Sequence, residues 1–545
     1  MVRTVASVAV AGLVLLSGCS SDSGGSSPGG GAADGSDEPV PGGELVYALE
    51  AETSGGWCLP EGQLAISGIM VARAIYDTLT VPNAEAEYVP FLAESVEPNE
   101  DYTVWTIELR EGITFHDGTA LDATVVKNNI DAFRGEYPPR QPLLLRFFFE
   151  PVESVEVLDD LTLEVTMDRP WVAFPAALYS EGRAGISAQA QLDDAETCDQ
   201  NLIGTGPFEF EEWVQNDHLS VKRNPDYWRT DADGTPLPYL EQVVFRPIID
   251  ATTRSNAVVS GEVDATHTAG AAGTLILTDA AEAGQIQALT SAEYPEVGFQ
   301  ILNTGVAPFD NRDARLAAAH AFDREEFRRI RNQGLFEIAS GPFGPGNMGY
   351  LEDAGFPEFD LDKAREHAAA YEAQTGEPLR FTYTYQADPE TAQTAQLLQE
   401  QWARAGIEVA IEPIEQSALI STAISGDYQA ISFRNHGGGD PDQQYIWWYG
   451  GSPLNFGRIA DERIDTLLDE GRSEPDPQRR EEIYQEVNRV FGAEAYSQWV
   501  SWVEWTIGSA NDVRGLMGPA LPDGSEPFGG LAAGHTLAGV WRNDG

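Results

Sequence analysis

The chain has 545 residues, with 33 Lys plus Arg against 87 Asp plus Glu and a formal net charge of −54 at pH 7. At about 150 residues per domain this length implies three to four domain-sized units, which excludes a single small binding module. Cations this scarce exclude binding to a nucleic-acid backbone, which depends on Lys and Arg neutralising phosphates; 42% hydrophobic and 22% charged residues instead describe a chain with a folded core.

Residues 1–18 read as a secretory signal: Arg3 supplies a positive start, an apolar run extends from about Val5 to Leu16, and Ser17 and Gly18 precede Cys19. The run is too short to span a bilayer. Leu16-Ser17-Gly18-Cys19 resembles a bacterial lipobox, which implies cleavage before Cys19 and acylation of that residue. Residues 19–43, rich in Gly, Ser, Pro and Asp, then form a flexible tether to a protein held at the outer face of the cytoplasmic membrane. The two remaining cysteines, Cys58 and Cys198, are expected to form a disulfide in an exported chain, worth on the order of 4 to 5 kcal/mol by loop entropy. Two unrelated buried thiols are the alternative.

From Glu44 to Met167 strand signals dominate. Trp105, Ile107 and Leu109 alternate with polar residues, and Val155 and Val157 with Leu161 to Met167 flank an Asp159-Asp160 turn as a hairpin. Asp122 is placed to cap a helix whose Val126, Ile130 and Phe133 share a face. Strands are also expected at Leu219–Arg223 and Val243–Ile248. In the second half, Leu379 to Tyr385 alternate as a strand, a helix carrying Leu397, Leu398 and Trp402 stops at Gly406, and a strand follows from Ile407 to Ile411. A helix over 417–425, a strand from Tyr428 to Phe433, and two amphipathic helices around Ile464 and Ile483 complete the pattern of a parallel sheet with helical crossovers. Ligands bind beyond the carboxyl ends of such strands, which makes the stretch from Arg434 a site candidate by topology.

Six blocks in order behind the lipobox resemble the family 5 extracellular solute-binding proteins of ABC importers. They are Ile75-Tyr76-Asp77-Thr78-Leu79, Pro90 to Ser95, Trp105 to Gly118, Gly204-Thr205-Gly206-Pro207-Phe208, Arg223 to Trp228 and Pro308 to Arg315. The resemblance implies an α/β, two-lobed periplasmic-binding-protein-like fold (type II, cluster C) with an extra subdomain in the first lobe. Lobe I would comprise 44–80, 204–297 and 506–545, the insert 81–203, and lobe II 298–505. It also implies a monomer that captures a peptide or peptide-like solute by lobe closure and delivers it to ABC permease subunits, without catalysis or cofactor. A secreted hydrolase using two of the carboxylates as an acid and base pair, or a sensor presenting its ligand to a signalling partner, are the alternatives.

In peptide-binding relatives the loop matching 434–442 carries an Asp four residues before a Pro, which holds the peptide's amino group. Counted back from Pro441, that position is Gly437 here, and Asp440 or Asp442 are the substitutes in reach. The candidate ligand contacts are Arg434, Asn435, His436, Trp447, Trp448, Trp57 and Phe343. Arg434 has two readings, a bidentate partner for a ligand carboxylate or phosphate and a salt bridge to one of the many acidic residues. The aromatic residues read as a flat wall for a solute or as core packing. His436 reads as a ligand contact or a structural hydrogen-bonding residue. His116-Asp117 reads as a turn, and the G-x-G-x-x-G match from Gly344 to Gly349 lacks the following helix of a dinucleotide site. No histidine or mature cysteine has zinc-ligand spacing, so no metal is expected. Replacing Arg434 with Ala is expected to weaken an anionic ligand by about 1.5 to 3 kcal/mol, read by titration calorimetry; unchanged affinity removes Arg434 from the site.

Overall fold

The computed structural model describes residues 38–53, 56–387, 389–531 and 536–543. The expected signal, most of the tether and Cys19 lie outside the described residues. Among those described, no helix is long and apolar enough to cross a membrane.

A ten-stranded mixed sheet runs through the molecule in the spatial order 408–414, 380–386, 430–436, 287–302, 497–509, 265–268, 44–49, 242–247, 218–223, 208–214. At one end Arg380–Gln386 pairs in parallel with both Glu408–Ile414 and Ala430–His436, as the strand and helix alternation predicted. At the other, Glu44–Leu49 pairs in parallel with Gln242–Pro247 and Ala265–Thr268. Two long antiparallel strands, Gln287–Leu302 and Ser497–Ser509, join the ends. Their first stretch pairs Gln287–Ser291 with Trp505–Ser509, beside Ala265–Thr268; their second pairs Glu296–Ile301 with Ser497–Val503, beside Ala430–His436. Between Ser291 and Glu296 the ladder shifts register, and Tyr294 adopts a φ of 48°.

A separate antiparallel sheet in the order 93–98, 104–109, 162–167, 152–157 carries the predicted hairpin, with the helix Ala123–Arg134 packed on it. Asp122 caps that helix through Val125 N–H, and the same device recurs at Asp250, Asp323, Asp360, Asp461 and Asp476. Each such cap contributes about 1 kcal/mol, so part of the acidic excess is spent on satisfying helix N-termini. Cys58 and Cys198 form a disulfide, closing the early loop onto the segment that leads into Gly204.

Four of the six sequence blocks that carry the family resemblance meet at one knot. Buried Asp77 accepts hydrogen bonds from Trp228 Nε1 at 2.9 Å, Thr205 Oγ1 at 3.2 Å and Tyr227 O–H at 3.3 Å, and burial pushes its carboxyl up to about 6. His116 exchanges hydrogen bonds with the Gly204–Gly206 turn, and Asn224 Nδ2 donates to Gly206 O. Asp117 accepts from Thr119 N–H in the turn expected there. Gly206 N–H donates to Ile75 O at 2.9 Å, and a Cβ on Gly204 or Gly206 would be driven into the Ile75 carbonyl. These positions are glycine because two backbones touch. Gly204→Ala is therefore expected to destabilise the fold by about 1 to 3 kcal/mol, read as a lowered urea midpoint at unchanged slope.

Candidate functional site

Arg434 and Asn435 are strand residues: Ala430–His436 runs three residues beyond the predicted end at Phe433, pairing with Glu296–Leu302. Alternation sends Arg434 and His436 to one face and Asn435 to the other. On the Arg434 face a row of polar and charged side chains crosses five adjacent strands at the carboxyl ends of the parallel strands of both halves.

Arg434 Nε lies 2.8 Å from Glu296 Oε2 on the neighbouring strand, and Nη2 donates to Glu50 Oε1 at 3.1 Å. Glu50 follows the strand Glu44–Leu49 at the far side of the sheet, so this contact joins the two halves. The guanidinium sits 5.2 Å from the Trp505 ring centre, and Trp505 Nε1 donates to Glu296 Oε2. Behind them His267 packs edge-on to Trp505, with Nδ1 3.3 Å from Tyr47 O–H and Nε2 3.5 Å from Ser67 Oγ. Buried Arg254 donates to the carbonyls of His267, Ile248 and Ile249 and stands 4.0 Å from Glu50.

The electrostatics follow from this packing. Burial would raise the Glu50 carboxyl, but Arg434, His267 and Arg254 outweigh it and hold the group below its ordinary value. For Glu296 burial outweighs Arg434, and the carboxyl is raised. Arg434 is raised despite its burial, because Glu296 and Glu50 flank it. Burial lowers His267 to about 4, against the pull of Glu50. The row thus sets Glu50, Glu296, Arg434 and Arg254 beside an imidazole that is neutral at pH 7.

The other expected contacts are placed differently. Trp448 packs among Phe299, Phe491 and Trp499, Trp447 against Phe456, and Phe343 against Tyr484. With Trp448 2% and Phe343 0% exposed, those two rings fill the core and present no face to a solute, while Trp447 is half-buried against it. Trp57 meets Trp213 edge-on beside a small apolar cavity that also involves Leu49 and Ala51. Asn435 Nδ2 donates to Gln444 Oε1, and buried His436 accepts from Gly438 N–H.

Asp440 and Asp442, the substitutes expected for Gly437, are both engaged by other residues. Asp440 is bound on both oxygens by Arg480, at 2.6 and 2.7 Å; Asp442 takes Arg472 at 2.9 Å and Trp171 Nε1 at 2.7 Å. A Cβ at Gly437 would press on Asn347 Oδ1 at 3.0 Å, while Asn347 Nδ2 donates to Gly438 O. The glycine run lets the loop close on that side chain.

Glu50, Glu296, His267, Arg254 and Trp505 escaped sequence reasoning. Only Glu50 had a usable signal, its place at the carboxyl end of the first strand.

The chain matches the family model for bacterial extracellular solute-binding proteins, family 5 (middle region), over residues 87–456. It is 26% identical to the glutathione-binding protein GsiB of Salmonella paratyphi A, over 81% of this chain and 85% of that one. With the glutathione-binding protein GsiB of Pectobacterium atrosepticum it shares 28% identity over 63% of this chain and 64% of the relative, slightly under two thirds of that relative's length. Among solved structures, the periplasmic binding protein AgaA from A. tumefacien R10 in complex with agropinic acid superposes with a TM-score of 0.80 at 25% identity, covering 92% of this chain and 99% of that one. DppA from Helicobacter pylori in complex with peptide STSA gives 0.77 at 23%, covering 92% and 98%.

The His267 environment carries a pH signature. A histidine whose folded value lies near 4 and whose unfolded value lies near 6.5 binds more protons when unfolded, so its contribution to stability is complete above about 6.5 and is lost as pH falls towards 4. Stability measured by urea unfolding is expected to fall over that window. In His267→Gln the slope there should diminish; an unaltered slope would assign the pH dependence to other groups.

Proposed function

The chain belongs to the family 5 bacterial extracellular solute-binding proteins, and from that premise we propose that it is the lipid-anchored receptor of an ABC importer, capturing an amino-acid-derived, peptide-like solute between two lobes. One observation carries the reading: charged side chains from both ends of the sheet converge at the carboxyl ends of their parallel strands, where Arg434 meets Glu50. Residues 44–80, 204–297 and 506–545 act as the first lobe, 81–203 as its insert, and 298–505 as the second. The two long shared strands serve as the crossing segments, and the register shift between Ser291 and Glu296 is where they flex. A solute touching both lobes favours the closed form by the difference between its affinities for closed and open states, and the permease reads that form.

The names of the relatives support the solute class: glutathione is a peptide, and agropinic acid is bound by the similar AgaA structure. The protein works as a monomer by capture and release, without a catalytic step. Native mass spectrometry of the mature protein, followed by identification of what unfolding releases, tests this. An intact amino-acid-derived molecule is expected: a ladder of peptide masses marks a general peptide receptor, a single mass a dedicated one. Recovery of cleaved products after incubation with intact peptides would replace this reading with the hydrolase.

A further inference from the structure

The two ends of the Cys58–Cys198 disulfide sit in different surroundings. Cys58 belongs to a buried run, residues 57–60, whereas Cys198 is buried within an exposed one, with Asp193, Glu196, Thr197 and Gln200 facing solvent around it. Behind Cys58 stands Arg140, its side chain 4% exposed, whose Nη1 donates to Cys58 Sγ at 2.7 Å and whose Nη2 donates to the Asp194 carbonyl at 2.9 Å. Its Nε has no hydrogen-bond partner among the described residues. Glu61 is the carboxylate paired with this guanidinium, at 3.8 Å and one-quarter exposed.

We propose that this disulfide is exchangeable, and that Cys198 is a site of covalent modification by small thiols with Cys58 as the leaving sulfur. A thiolate arriving from solvent forms a bond to Cys198 Sγ, the bond from Cys198 to Cys58 breaks, and its electron pair leaves on Cys58. Cys198 ends in a mixed disulfide and Cys58 as a thiolate. One sulfur–sulfur bond has replaced another, so the step consumes only the incoming thiolate. Charge and access decide which sulfur is attacked. A disulfide sulfur is a weak acceptor for the buried Arg140 guanidinium, whereas a thiolate in its place is a full counter-charge, and a sulfur beside a guanidinium is the better leaving group. Negative charge on Cys198 meets the opposite surroundings, because Asp193, Asp194, Glu196 and Asp199 all lie within five positions of it.

The exchange leaves the surrounding backbone tied. Gln191 Nε2 donates to the Cys198 carbonyl at 2.8 Å, and Asp194 Oδ1 accepts from the Glu196 and Thr197 N–H groups. On the other side the Cys58 carbonyl accepts from Glu61 and Gly62 N–H, and Gln141 N–H donates to Glu61 Oε1. None of these bonds passes through sulfur, so the disulfide opens within a folded chain.

The full chain is incubated without denaturant in excess 2-mercaptoethanol, stopped with iodoacetamide and mapped by peptide mass spectrometry, which reads Cys58 and Cys198 separately. Chains carrying the mercaptoethanol adduct on Cys198 and the alkyl group on Cys58 are expected to outnumber the reverse pair by at least about tenfold. In Arg140→Gln that preference should fall to about threefold or less, with a lower yield of adduct. Glu61→Gln removes the carboxylate that shares the guanidinium and should raise the yield above that of the wild type. An adduct divided equally between the two cysteines, or concentrated on Cys58, overturns the proposal. So does a disulfide that opens only in urea, or an unchanged preference in folded Arg140→Gln. If Arg140→Gln fails to fold, the wild-type distribution and Glu61→Gln decide.

Discussion

Both ends of the ten-stranded sheet hang from the same two strands, Gln287–Leu302 and Ser497–Ser509, and the charged row is arranged around that shared pair. Neither half holds a complete sheet without them. Their ladder shifts register between Ser291 and Glu296 and again between Gly298 and Phe299, so the departures from regular pairing are gathered within a few residues. Glu296 stands at the edge of that break and Trp505 on the strand opposite. The charged row is therefore attached to the irregular part of the shared ladder.

A chain with 87 acidic side chains and 33 basic ones must place each cation with care. Two arginines are used twice, as charge and as flat surface: Arg472 lies over Tyr445 at 3.5 Å while binding Asp442, and Arg434 lies beside Trp505 while binding Glu296. Lysine has no such plane. Many of the aspartates are likewise bound into backbone, at helix N-termini and in the Asp117, Asp159 and Asp231 turns. Some of the acidity is thus structural, engaged with main-chain N–H groups rather than left facing solvent.

What was legible in the sequence was local. Alternation found the strands around Trp105 and Tyr383, Asp122 announced its helix, and Gly406, with a φ of 83°, ended another. The two mature cysteines found each other. The strand through Arg434 was read short because Arg434-Asn435-His436 is polar; what extends it is pairing with Val297 and Glu296, more than 130 positions away, which periodicity does not register. The aromatic residues near 447 were ambiguous for the same reason, since a tryptophan on a short helix looks alike whether it faces a solute or Phe299. Glu50 was one carboxylate among 87 until the fold placed it beside a residue 384 positions later.

The shared strands also set an order on biogenesis. Ser497–Ser509 lies in the middle of the sheet in space but near the end of the chain in time, and until it has been synthesised Ala265–Thr268 and Gln287–Leu302 each lack the neighbour between them. Between the synthesis of Leu302 and that of Ser497 the nascent protein therefore has two strands without the partner between them, the kind of edge that invites pairing with other chains. Its long-range contacts through Ser497–Ser509 close late, which slows folding and ties it to the arrival of that strand. A chain built this way joins the two ends of its sheet only once that strand has been made.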